Sequence, residues 1–313
     1  MTEPIARRPS LGIAIPCHNE ATTIAKVVAD FRAACPEAVV YVFDNASTDG
    51  TGAIAKAAGA VVHSVPFRGK GHVVRAIFRQ VDADVTVLVD GDDTYPADRV
   101  HELMAPVLAG EADMVVGTRL EAYSERSFRA MPVAGNRLIA MTIGALFRTE
   151  LKDVLSGYRA FSRRFRRTTP ILSNGFEVEA ELTVQSIERN LAIVEIPVPY
   201  RERPPNSFSK LSTVKDGFRV LLTIFRIYRD FRPLVLFGTA GGVVVAAGIL
   251  IGFSVLNEFE LHHRVIGAAR AMLAVGLCIA GLTSLTAGVI LDSMNRRIRE
   301  LYTLLADQVL SHD

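Results

Sequence analysis

Three carboxylates, Asp90, Asp92 and Asp93, follow directly on an apolar run in the stretch VLVDGDDTYP (87–96). Asp90 and Asp92 stand two residues apart at a strand end, so their side chains can point to the same side. Two unpaired carboxylates that close repel each other, and burial penalises their ionised form. A hard divalent cation relieves both. Mg²⁺ or Mn²⁺ takes one or two carboxylates plus substrate phosphates in preference to an all-protein cage. A helix cap before YPADRV is the simpler alternative; it accounts for Asp92 or Asp93 and leaves Asp90 unexplained.

Four other polar motifs follow apolar runs in the same way: PCHNE (16–20), DNASTDG (44–50), PFRGKG (66–71) and GTR (117–119). Asp44, at a strand tip, is placed to accept hydrogen bonds from a base or ribose edge, whereas Ser47 and Asp49 could serve as N-caps for a helix over 50–58. GKG at 69–71 offers flexible backbone N–H groups and Lys70 at a helix start, a combination that suits a diphosphate.

The elements that must carry these motifs alternate. Short runs of strand type (11–15, 39–43, 60–64, 85–89, 113–117) are separated by helical patterns near 20–34, 50–58, 70–81 and 97–109. Continuous apolar strands separated by helices predict an α/β domain with a parallel sheet covered on both faces. Ligands bind such sheets beyond the carboxyl ends of the strands, which would bring all five motifs into one cleft. Helices near 132–147 and 175–190 and a strand at 192–200 complete the domain.

Half of the 313 residues are hydrophobic, unevenly distributed, and the net charge is only +2, so nothing global points to nucleic acid. Cys17, Cys35 and Cys278 lack metal-like or disulfide-like spacing and read as small apolar fillers in a reducing compartment. In KLSTVKDGFRVLLTIFRIYRDFR (210–232), a period of about 100° per residue gathers Lys215, Arg219, Arg226 and Arg229 on one face and apolar residues opposite. That pattern predicts a helix lying in a membrane interface with its basic side toward lipid phosphates, the alternative being a surface helix of the soluble domain. An uncharged stretch (234–256) and a second (266–291) carrying only Arg270 near its start are long enough to span a bilayer. NRRIRE (295–300) follows the second, and the connecting loop is poor in Lys and Arg. The positive-inside bias therefore predicts both chain ends in the cytoplasm. MTEPIARRPS has no apolar h-region, so no signal peptide is expected and the α/β domain should stay cytoplasmic. GTAGG (238–242) suits helix–helix packing, which would support a homo-oligomer.

IPCHNE, FDNASTDGT, VDGDDTYP, VVGTR, LSGYR and FEVEAEL occur here in the order in which they occur in family-2 glycosyltransferases. Over roughly 11–232 the chain resembles their polyprenyl-phosphate (dolichol-phosphate mannose synthase-like) members. The resemblance implies a Rossmann-like nucleotide-diphospho-sugar transferase domain of GT-A type at 1–209. An interface helix (210–232), a two-span transmembrane hairpin (233–293) and a cytoplasmic tail (294–313) would follow, in the inner (cytoplasmic) membrane. It also implies roles. Pro16, His18, Glu20 and Asp44 would line the nucleoside pocket, with Lys70 and Asp90 on the donor. Asp90 and Asp92 match the family's Asp-x-Asp, Asp92 being the more direct ligand of Mg²⁺ or Mn²⁺; many relatives have Gln where this chain has Thr94. Asp153 matches a carboxylate regarded as a catalytic base or orienting group. Arg119, Arg129, Arg137, Arg201 and Lys210 would grip the acceptor phosphate. The register of RERPPNSFSK (201–210) lacks a Gly usual in relatives, which leaves Arg201 and Arg203 as alternatives.

The implied reaction is an inverting transfer of a sugar from a nucleotide-diphospho-sugar, UDP favoured, to polyprenyl phosphate, with membrane lipids as the other partners and the sugar itself undetermined. Two alternatives stand beside it: transfer to a hydroxyl of another lipid or a polysaccharide, and a membrane-anchored sugar-nucleotide binding protein without turnover.

Overall fold

The computed structural model describes residues 8–119, 130–201, 213–264 and 267–311. They fall into two compact units, Met1–Ile224 and Phe225–Asp313. The boundary thus lies inside a helix, where the sequence pattern suggested limits at 209/210 and 232/233.

The first unit is an α/β domain around one seven-stranded sheet. Strands β1 (Leu11–Cys17), β2 (Val39–Asp44), β3 (Val61–Ser64), β4 (Val85–Leu88), β5 (Met114–Thr118), β6 (Arg159–Ser162) and β7 (Ile193–Pro197) lie in the order β3-β2-β1-β4-β6-β5-β7. Helices α1 (Ile24–Ala34), α2 (Thr51–Ala57), α3 (Lys70–Gln80), α4 (Val100–Leu108), α5 (Ala130–Phe147), α6 (Arg163–Thr168) and α7 (Val178–Glu188) connect them. Burial on both faces is why the strands read as unbroken apolar runs. Ile13 and Ile15 of β1 join Val27, Phe31 and Leu103 in one core, while Ala14 joins Val74, Ile77, Phe161 and Leu182 in another. Cys17 and Cys35 are free thiols buried in the first core. Burial, with Glu37 adding, pushes the Cys35 thiol up to about 12, which makes it an inert filler.

The sheet departs from the expected parallel arrangement at β6, which pairs antiparallel with both β4 and β5. No apolar run announced this strand because its first residue is Arg159, fully buried. The guanidinium donates to Ser156 O (2.9 Å), Val154 O (2.6 Å) and Thr183 Oγ1 (3.0 Å), so three neutral acceptors carry a charge that the pattern would place at the surface. Helix α6 is short as well; its start is capped by Ser162, whose Oγ accepts from Phe165 N.

The chain leaves β1 toward β2 and β3 on one side and continues through β4 on the other. The topological switch therefore lies between β1 and β4, the place at whose carboxyl ends open α/β sheets form their binding crevice. Residues 16–20 and 90–94 flank it, and Asp44 pairs in register with Cys17 beside it.

Helix α8 (Thr213–Phe231) crosses from the first unit into the second, which contains α9 (Pro233–His262) and α10 (Ala268–Ser311). Two segments, Pro233–His262 and Ala268–Ile298, are long and apolar enough to cross a membrane, with mean hydropathies of 2.4 and 2.1. Helix α10 does not stop where its apolar stretch ends but runs on to Ser311. The two helices meet through small residues. A Cβ on Gly241 would lie 2.6 Å from Gly281 O, and one on Gly248 would lie 2.8 Å from Cys278 Sγ. Ser284 Oγ donates to Phe237 O at 3.0 Å, and Arg270 pairs with Glu258 at 2.6 Å near the turn. Gly241, the fourth residue of GTAGG, is thus engaged inside the hairpin.

Candidate functional site

Asp90 and Asp92 follow β4 at the switch point. Asp92 is 4% exposed. Its Oδ1 accepts from Thr94 Oγ1 at 2.6 Å and from Thr94 N at 3.3 Å, so Thr94, itself buried, orients this carboxylate. Asp93 belongs to neither carboxylate pair nor cap. It adopts φ +59°, and its carboxylate turns to Lys26 Nζ at 2.8 Å. The next helical turn, a 3₁₀ segment at Ala97–Arg99, begins after Pro96 without a side-chain cap. Thr23 Oγ1 donates to Gly91 O at 2.6 Å and fastens the start of α1 to this loop.

Lys70, the first residue of α3, reaches both Asp90 Oδ1 and Glu179 Oε1 at 2.6 Å. Burial disfavours the ammonium, yet the two carboxylates outweigh it and hold Lys70 above the ordinary lysine range. The GKG backbone is less open than the sequence suggested. Gly69 N donates to Asn45 Oδ1 (2.7 Å) and Gly71 N to Asn174 O (3.1 Å). Glycine is required at 71 because a Cβ there would run into Ser173 O. Glu181 fixes that covering loop by accepting from Leu172 N and Ser173 N, both at 2.8 Å.

Around the nucleoside-side motifs, Asn45 is the hub. Its Nδ2 donates to Val65 O and Phe67 O, and its own carbonyl accepts from the Nδ1 of His18 at 2.8 Å. A carbonyl can only accept, so Nδ1 carries the hydrogen. Pro16 lies in β1 opposite Phe43, and Glu20 N donates to Thr51 Oγ1 at 2.9 Å. Asp44 Oδ1 accepts from Ser47 N at 3.0 Å, and Gly52 leaves room for its other oxygen, 2.7 Å from where a Cβ would be. Asp49 accepts from the first N–H of α2, Thr51 N, and also from Ala21 N, both at 3.0 Å. Ser47 Oγ instead accepts from Asn19 N. Loops one, two and three are thereby laced into one wall.

The opposite wall is an ion pair. Arg119, just past β5, clamps the buried Asp153 with Nε at 2.8 Å and Nη2 at 2.9 Å, and its backbone N–H donates as well. Asn136 Nδ2 (2.9 Å) and Leu155 N (3.2 Å) complete the set. Burial alone would raise Asp153, but the Arg119 guanidinium and these donors hold its carboxyl below the usual carboxylate range. The Arg119 guanidinium lies 5.6 Å from the centre of the Tyr200 ring. Tyr95 links the two halves, its hydroxyl accepting from Gly157 N at 3.0 Å. Arg201 joins the site through its backbone N–H on Thr94 O (2.9 Å), with its side chain exposed, and Arg137 is exposed on α5. Arg129, Arg203 and Lys210 lie outside the described residues.

The donor set can be tested against a divalent cation. Asp90, Asp92 and Glu179 carry three negative charges against Lys70 and the more distant Arg159, which leaves the cluster negative. Hard carboxylate oxygens are the ligands that Mg²⁺ and Mn²⁺ select. A Cβ at Gly157 would run into Asp90 Oδ2, so the bare glycine keeps a cradle open beside that carboxylate. The residues fit. Gly157→Ala is accordingly expected to weaken Mn²⁺ binding by about tenfold or more, measured by titrating the metal against wild type and variant.

Sequence reasoning passed over Glu179, Asn45, Asn136, Tyr95 and Arg159. Glu179 left a trace, since Glu177, Glu179 and Glu181 recur every second residue inside an otherwise apolar stretch, which is unusual on a buried helix.

A family model described as glycosyl transferase family 2 matches residues 12–168. The chain is 33% identical over 300 residues to glycosyltransferase AglJ of Haloferax volcanii, covering 92% of this chain and 97% of that one. It is 31% identical over 225 residues to the dolichyl-phosphate hexose transferase of the same organism, covering 71% and 95%. Among solved structures, glucosyl-3-phosphoglycerate synthase from Mycobacterium tuberculosis in complex with Mn²⁺, UDP and phosphoglyceric acid is similar. Its TM-score is 0.58 at 26% identity, covering 70% of this chain and 78% of that one.

Proposed function

The chain belongs to glycosyl transferase family 2, and from that premise we propose that it transfers a hexose from a UDP-sugar to a polyprenyl phosphate with inversion at the anomeric carbon. One observation carries the reading. A carboxylate pair that fits a divalent cation sits at the switch point of a GT-A sheet, in a chain that also has two helices apolar enough to cross a membrane. A dolichyl-phosphate hexose transferase among the relatives supports the acceptor class, and a UDP–Mn²⁺ complex of a similar structure supports the donor.

Pro16, His18, Glu20 and Asp44 hold the nucleoside at the laced wall of loops. When bound at Asp92 and Asp90, Mg²⁺ or Mn²⁺ supplies Lewis-acid neutralisation of the leaving diphosphate. A phosphate oxygen of the lipid attacks the anomeric carbon with its own electron pair. The bond from that carbon to the diphosphate oxygen breaks, and the nucleoside diphosphate departs with the bonding pair. A phosphate monoester is largely ionised at pH 7, so no side chain has to remove a proton. Asp153, saturated by donors, therefore acts by fixing Arg119 toward the acceptor phosphate, where positioning contributes much of the rate. Arg129, Arg137, Arg201 and Lys210 extend the same grip. The hairpin crosses the inner membrane twice with the catalytic unit cytoplasmic, and α8 lies in the interface.

Membranes containing the protein, incubated with labelled nucleotide-sugars, polyprenyl phosphate and Mg²⁺ or Mn²⁺, should yield a mild-acid-labile glycolipid whose anomeric configuration is opposite to the donor's. An acid-stable glycoside on a lipid hydroxyl would overturn the acceptor assignment, and retained configuration would overturn inversion.

A further inference from the structure

Lys70 is shared between two unlike acids. Asp90 faces the crevice with 27% of its side chain exposed, whereas Glu179 on α7 is only 6% exposed. Glu179 Oε1 holds the ammonium, yet its Oε2 is buried without a hydrogen-bond partner among the described residues. A bare buried carboxylate oxygen is costly. Glu181 on the same helix holds loop amides, and Glu177 accepts from Gly175 N. Arg159 donates its hydrogen bonds to neutral oxygens, and the Glu179 charge favours its buried guanidinium through space.

The surroundings restrict where the ammonium can go. The α3 backbone is fixed by Gly71 N on Asn174 O, and Gly157 lies so near the ammonium on the other side that a Cβ there would come within 3.0 Å of Lys70 Nζ. Lys70 can therefore lean toward Asp90 or toward Glu179. A divalent cation on Asp90 must compete with that lysine for the same carboxylate.

We propose that Glu179 is a positioning residue that draws the Lys70 ammonium off Asp90 and so frees that carboxylate for the divalent cation. The inference rests on the metal reading of Asp90 and Asp92 given above. It makes an acid that is not itself a ligand necessary for tight metal binding, because without it Lys70 pairs with Asp90 alone.

The test is Mn²⁺ binding to the full-length, detergent-solubilised protein, read from the loss of the free-ion paramagnetic resonance signal without nucleotide or turnover. Glu179→Gln should weaken Mn²⁺ binding by about tenfold. In the Lys70→Met background, the same Glu179→Gln change should alter it by less than about threefold, because the competitor is gone. The double variant carries neither buried charge, so it gives a readout even where the single Glu179→Gln protein fails to fold. Glu179→Gln binding Mn²⁺ as tightly as wild type would overturn the inference and leave the metal site standing. A full tenfold loss in the Lys70→Met background would overturn it too, since Glu179 would then act on the ion directly. A wild-type protein that takes up no Mn²⁺ at millimolar concentration would remove the metal reading itself, and this inference with it.

Discussion

Asp92→Ala is expected to lower kcat/KM for glycosyl transfer by roughly three orders of magnitude, the scale seen when one preorganised charge-stabilising group is lost from a transition state. The effect should be large because the Asp92 carboxylate is almost wholly buried and held in one orientation by Thr94. A carboxylate held in one orientation is ready to hold the divalent cation that would offset the negative charge gathering on the leaving diphosphate. Stability should change far less. The variant leaves Thr94 Oγ1 without that acceptor, a cost of about 1–3 kcal/mol, while relieving repulsion with Asp90. Activity in membranes with saturating Mn²⁺ and labelled donor, alongside thermal unfolding of the purified protein, separates the two. Asp92→Asn refines the result, since it keeps an oxygen for Thr94 but loses the charge, and should be nearly as inactive as Asp92→Ala. Transfer surviving in both would mean that Asp92 serves only the local turn.

What the sequence disclosed and what it hid divide along physical lines. Strands buried on both faces, β1, β2, β4 and β5, announce themselves as unbroken apolar runs, and the acids after them mark the crevice because charge at a strand tip has little structural reason to be there. The two long apolar helices were legible in their length and lack of charge. Strand β6 was hidden because its buried guanidinium looks like surface, and its antiparallel pairing is a tertiary fact. Partnerships were hidden as well. Arg119 and Asp153 lie 34 residues apart, and either alone reads as a ligand-binding group; only the fold shows them answering each other. Lys70 reads as a phosphate ligand at a helix start, and its pairing with Glu179, from a helix late in the domain, is visible only in the fold. The amides of GKG looked available because nothing local consumes them; distant Asn45 takes that of Gly69 and the carbonyl of Asn174 that of Gly71.

The Arg119–Asp153 pair carries the other large expectation. Asp153→Ala should destabilise the first unit by about 3–5 kcal/mol, the usual result of stranding one member of a buried ion pair. The fully buried carboxylate accepts from Nε and Nη2 of Arg119, from the backbone N–H groups of Arg119 and Leu155, and from Asn136, and all of them lose their acceptor at once. Asp153→Asn keeps the shape without the charge and isolates the electrostatic part. Because the folded protein holds the Asp153 carboxyl below its unfolded value of about 3.9, its contribution is complete above that value and fades as pH falls through the folded value. The stability gap between wild type and Asp153→Asn should therefore be flat from about pH 5 to pH 8 and narrow below about pH 4. The same saturation bears on mechanism. A carboxylate with five donors and a lowered affinity for protons is a poor base, so the wild-type rate profile should show no limb from Asp153 between about pH 5 and pH 8. Arg119→Lys, which keeps the charge but loses the two-pronged fit, should then impair transfer mainly through KM for the polyprenyl phosphate. If Asp153→Asn abolished turnover without changing stability or acceptor KM, and the wild-type profile showed an ionisation near neutrality, Asp153 would be acting on a proton after all, and the acceptor would have to be a hydroxyl rather than an already ionised phosphate.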